Sequence, residues 1–64
     1  MYYITLWEGN VRCYGVLKEN NRIEQYFTNN RIKYFDTLED AEKWTKKHKP
    51  VTGEEYHIKK RSWE

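Results

Sequence analysis

The sequence predicts an α+β fold: an antiparallel meander of four or five strands (ββββαβ) with one helix packed on one face. Three observations lead there. Turn signals recur at Gly9-Asn10, Glu19-Asn20-Asn21 and Asn29-Asn30, and Gly and Asn tolerate the φ > 0 that tight hairpins require. Between them lie runs rich in Tyr, Ile, Val, Trp, Phe and Thr, which suit a pleated surface. Beyond them, "DTLEDAEKWTKKHKP" switches to helical spacing.

The strands follow from cross-strand register. A two-residue loop at Gly9-Asn10 pairs Leu6 with Cys13, Ile4 with Gly15 and Tyr2 with Leu17. A three-residue loop at 19–21 pairs Leu17 with Ile23 and Gly15 with Gln25. A two-residue loop at Asn29-Asn30 pairs Phe27 with Ile32 and Gln25 with Tyr34. Side chains alternate faces with period two, so a slip of one residue inverts everything beyond it. With these loops, Ile4, Leu6, Val11, Cys13, Leu17, Ile23, Phe27, Ile32 and Tyr34 share one apolar face.

The helix follows. Thr37 or Asp36 can cap its first turn, and Thr37-x-x-Asp40 fits a capping box. Leu38, Ala41 and Trp44 or Thr45, with His48 behind them, fall on one side. Glu39, Asp40 and Glu42 sit near its start and Lys46, Lys47 and Lys49 near its end, a polarity that complements the helix dipole. Pro50 ends it and Thr52-Gly53 turns the chain. This helix is the lid that the apolar sheet face needs. The last segment alternates again, Tyr56 and Ile58 one way and His57, Lys59, Arg61 and Trp63 the other. It reads as a short strand antiparallel to the first, with a parallel pairing to the fourth as the alternative.

Sixty-four residues make one small domain (1–64), and a chain this short buries only about 60% of its unfolded surface. A single core is the limit, with no room for an enclosed active site. Residues 1–36 carry five Lys/Arg against four acids and residues 37–64 seven against six, for a net charge of +2. A protein that seeks phosphates normally shows a larger excess. Cys13 is the only cysteine, which excludes an intramolecular disulfide and suits a reducing compartment. No apolar run approaches the roughly 18 residues of a membrane span, so the expected location is the cytoplasm of a bacterial host. Asn, Lys, Ile, Tyr and Phe account for 25 residues; their AT-rich codons point to a low-GC bacterium or its phage.

The register also projects Tyr3, Trp7, Arg12, Tyr14, Val16, Tyr26, Arg31, Lys33 and Phe35 away from the core. Tyr14 is expected opposite Tyr26, and Trp7 opposite Arg12 in a cation–π contact. Exposed apolar patches on small proteins mark interaction sites, and Tyr, Trp and Arg are enriched at interface hot spots. Lys59, Arg61 and Trp63 extend the basic, aromatic character towards the end of the chain. Paired carboxylates, nucleophile motifs, phosphate loops and zinc spacings are not found, and Cys13, His48 and His57 lack the short spacing of metal ligands. The expected function is therefore non-enzymatic and needs no cofactor: a binding protein that occupies a partner's surface through Tyr3, Trp7, Arg12, Tyr14, Tyr26, Arg31, Lys33, Lys59, Arg61 and Trp63. A host or phage protein is the expected partner, as for an anti-CRISPR-like or other anti-defence inhibitor. One alternative is a nucleic-acid module that stacks bases on the same face; another is a structural homodimer.

Residues 31–44, "RIKYFDTLEDAEKW", resemble the strand-to-helix ending of the small RNA–DNA hybrid-binding domain found beside ribonuclease H enzymes. "YYITLWEG", residues 2–9, is similar to that family's first strand. The resemblance covers under half the chain. Where the family has a helix with its own Trp and Cys, this sequence has strands, which removes most of the family's nucleic-acid contacts. No binding residue transfers.

Overall fold

The computed structural model describes residues 1–61. Four strands form one antiparallel sheet: β1 (Tyr2–Glu8), β2 (Arg12–Leu17), β3 (Ile23–Glu24) and β4 (Glu55–Lys60), in the order β3-β2-β1-β4. A single helix, α1 (Leu38–Lys47), packs over β1 and β4. The α+β architecture expected from the sequence is the one observed, and β4 pairs antiparallel with β1, matching Ile4 with Ile58 and Leu6 with Tyr56.

Thr37 caps the helix, its hydroxyl accepting from the Asp40 amide at 3.1 Å. Ala41 is the fully buried helical residue; Trp44 packs beside it, edge-on to Tyr56. The core under the helix consists of Ile4, Leu17 and Ala41, flanked by Tyr2, Ile23, Phe35, Trp44, Tyr56 and Ile58. Leu38, expected on the packed side, stays largely exposed.

The first hairpin departs from the expected register in two steps. Its loop has three residues, closed by the Val11 amide donating to the Glu8 carbonyl at 3.0 Å, with Gly9 at φ 54°. Glu8 therefore faces Arg12 and Trp7 faces Cys13. A β-bulge then leaves Tyr14 as an extra residue, so that Leu6 faces Gly15 and Thr5 faces Val16. The two offsets add to a shift of two residues beyond the bulge, which restores the facing of the side chains and is why Ile4 and Leu17 still share the core. Before it the facing is not restored: Cys13 lies on the face of Trp7, opposite the helix. Val11, at the loop, is exposed.

The expected fourth strand is the larger correction. β3 pairs only through Val16–Glu24 and Leu17–Ile23, and the chain then leaves the ladder. Residues 31–35 return as isolated bridges, Lys18 with Ile32 and Tyr2 with Phe35. The Lys33 amide donates to Leu17 and the Phe35 amide to Tyr2, so this segment joins the end of β2 to the start of β1. The diversion is caused by side chains that outbid the ladder. Glu24 accepts from Asn20 Nδ2, Asn30 Nδ2 and the Thr28 hydroxyl at 2.7–3.1 Å. Lys18, 1% exposed, donates from Nζ to the Tyr26 and Asn30 carbonyls. These bonds shape 25–30 into a loop on the face of the sheet away from the helix.

That loop changes burial. Phe27, expected in the core, is 82% exposed. Tyr34 lies edge-on to Tyr3 on the far face, while Phe35, expected outward, packs into the core. Val16 does point away from the helix, yet it and Thr5 are fully covered.

Candidate functional site: an edge cleft and a packed aromatic face

The residues expected to form one binding face divide into two groups. Tyr3, Trp7, Tyr26, Lys59 and Arg61 belong to the face away from the helix. Arg12 and Tyr14, on the Glu8 side of the hairpin, do not share a face with Trp7, so the expected Trp7–Arg12 pair does not form. Trp63 lies outside the described residues.

On the far face the rings are largely engaged with one another. The Trp7 indole N–H donates to the Thr5 hydroxyl at 2.8 Å, and Thr5 in turn donates to the His57 carbonyl. The indole stacks on the His57 ring at 4.9 Å, with Lys59 Nζ 5.8 Å from its centre. His57 Nε2 meets Glu55 at 2.8 Å. Tyr3 meets Tyr34 edge-to-face at 6.1 Å, and the Arg61 guanidinium lies 4.7 Å from the Tyr34 ring. Burial, followed by the neighbouring Tyr3 and Cys13, raises the Tyr26 phenol above its ordinary pKa. Lys33 donates to Asn21 Oδ1 at 2.7 Å and approaches Phe35 rather than the far-face rings. Arg31 is exposed and contributes its carbonyl to the Glu19 amide.

The second group surrounds a cleft of about 370 Å³ lined by four consecutive β2 residues, Arg12, Cys13, Tyr14 and Gly15, and three from the departing chain, Gln25, Tyr26 and Phe27. Both faces of β2 contribute, so the cleft runs along the edge of the sheet, where β3 peels away. Gly15 permits the approach at its base: a β-carbon there would lie 2.6 Å from the Glu24 carbonyl oxygen. Above it, residues 12–14 have β1 on one side and no strand on the other among the described residues.

Two contacts hold the cationic wall. The Arg12 guanidinium lies 5.4 Å from the centre of the Tyr14 ring, and the Tyr14 hydroxyl donates to Glu8 Oε2 at 2.8 Å. That hydrogen bond, burial and the Glu8 charge raise the Tyr14 pKa. With Glu8 holding Tyr14, no carboxylate of the described residues forms an ion pair with Arg12. Phe27 and Tyr26, 82% and 54% exposed, form the apolar wall.

Phe27 was not legible as a site residue, since the meander places it in the core. Its only sequence signal is adjacency to Tyr26 in an Asn-rich stretch. A second hollow, beside α1, mixes Lys43 and Lys47 with Asp36 and Asp40 around Trp44, and its charges offset one another. No helix is long and apolar enough to cross a membrane, and no cluster of three or more His, Cys, Asp or Glu occurs among the described residues. No protein family, curated protein or solved structure matches the chain.

Proposed function

We propose that the protein is a non-enzymatic binding protein that engages another protein through the edge cleft and its rim, Arg12, Tyr14, Tyr26 and Phe27, and acts by occupying that partner's surface. The observation that carries this reading is the exposure of Phe27 and Tyr26 beside an arginine that forms no ion pair among the described residues, its cross-strand neighbour Glu8 being engaged by Tyr14. A 64-residue chain has little apolar area to spare, and exposed aromatic–arginine clusters are the usual composition of interface hot spots. A host factor inhibited by a phage or mobile-element protein is the partner class that fits a small, compact chain rich in the amino acids that AT-rich codons encode.

The nucleic-acid alternative draws less support from the geometry. Base stacking on the sheet face needs open ring faces there, whereas Trp7 is stacked on His57 and Tyr34 carries Arg61. The test is affinity capture from nuclease-treated bacterial lysate with the wild type, Phe27→Ala and Arg12→Ala. The expected result is one protein retained by the wild type and lost by both variants. Capture unaffected by either variant, salt-sensitive binding of a fluorescent dT oligonucleotide, or a chain that simply self-associates to twice its mass would overturn it.

A further inference from the structure

We infer that the cleft takes an extended, acidic peptide segment that adds to the open edge of β2. This rests on the protein-binding reading above and specifies its chemistry. Three features converge on it. First, among the described residues, 12–14 lack a strand neighbour on their outer side because β3 pairs only with Val16 and Leu17. An unpaired edge offers backbone hydrogen bonds to an added strand, the commonest way an extended peptide joins a sheet. Secondly, the cleft follows that edge, and its lining alternates between the two faces of β2. An extended ligand projects its own side chains alternately in the same manner. Three edge residues span roughly 10 Å at about 3.3 Å per residue, so the recognised core is three or four residues long.

Thirdly, charge selects the ligand. Among the described residues, Arg12 is the only charged one in the lining. It is held over the Tyr14 ring, and Tyr14 is held in turn by Glu8, so the cation is oriented before any ligand arrives. A carboxylate on the peptide would complete it with a charge-assisted, two-pronged hydrogen bond. Phe27 and Tyr26 across the cleft fit an apolar or aromatic side chain on the ligand next to the acid. The Tyr14 bulge confines the addition to this end of the strand, since bulges twist an edge away from longer pairing.

The experiment is selection of a phage-displayed random heptapeptide library on the intact chain, followed by amide-exchange NMR with one selected peptide. Expected are sequences with Asp or Glu at a fixed position beside an apolar residue, and slowed exchange confined to amides of residues 12–14. Arg12→Ala should weaken the selected peptide roughly tenfold, and Arg12→Glu should redirect selection to Lys or Arg. Peptides without an acid that bind Arg12→Glu unchanged, protection elsewhere in the sheet, or no enrichment over background would each overturn the inference. If lysate capture still depends on Phe27 in that event, the protein-binding reading survives and only the peptide mode fails. Displacement of the selected peptide by a dT oligonucleotide would instead assign the edge to single-stranded nucleic acid.

Discussion

Glu24 ties together two turns that are four and six residues away in sequence. Hydrogen bonds from Asn30, Asn20 and Thr28, in that order of weight, hold its pKa down to about 2 from an ordinary 4.5. A carboxyl whose folded pKa is depressed contributes stability that is fully present above its unfolded value. That contribution is lost as pH falls through the folded one, here between about 4.5 and about 2. Urea titrations should show the wild type losing stability across that window and Glu24→Gln losing less, because the amide has no proton to take up. Equal acid limbs would show that the carboxylate does not organise the loop. Lys18 is the second anchor, and it is buried. Lys18→Met keeps the stem but leaves the Tyr26 and Asn30 carbonyls without their donor, an expected loss of about 1–3 kcal/mol. Faster amide exchange at 26–30 than in β1 would locate the damage in the loop.

At the level of elements, legibility depended on whether a decision was local. The helix was readable because its signals lie within it: a capping Thr37, Asp40 three residues on, lysines in the last turn, and Pro50 beyond. Thr37→Ala should cost about 1 kcal/mol in thermal unfolding, and Thr37→Asp should cost close to nothing, since either oxygen can accept from the Asp40 amide. Strand phase is not local in this sense. One extra loop residue at Val11 and one bulged residue at Tyr14 leave Ile4 and Leu17 in the expected core but place Cys13 and Trp7 on one face. Asn29-Asn30 has the composition of a hairpin turn, yet Asn30 serves Glu24 and Lys18 instead. That choice depends on residues six and twelve positions away, which no turn rule contains. The edge cleft exists because of it. Arg12, Tyr14 and Tyr26 were therefore identified as residue types before their arrangement could be, and Phe27 was missed.

Across the whole molecule, the aromatic residues divide into those that hold the fold and those left to solvent. The helix side has the single apolar core that a chain of this size can support. The far face is closed differently, by Trp7 on His57, Tyr34 on Tyr3, and a loop pinned by a lysine. Trp7→Ala should therefore destabilise the protein by about 2 kcal/mol, because it removes a stacked, half-buried ring and leaves the Thr5 hydroxyl oxygen without its indole donor. Phe27 has no such role. At 82% exposure, Phe27→Ser should shift stability by no more than about 0.5 kcal/mol while abolishing partner capture. Chemical denaturation of both variants measures the division directly. A Phe27→Ser loss as large as that of Trp7→Ala would mean that the exposed ring serves the fold, and the edge cleft would lose its claim to be a binding surface.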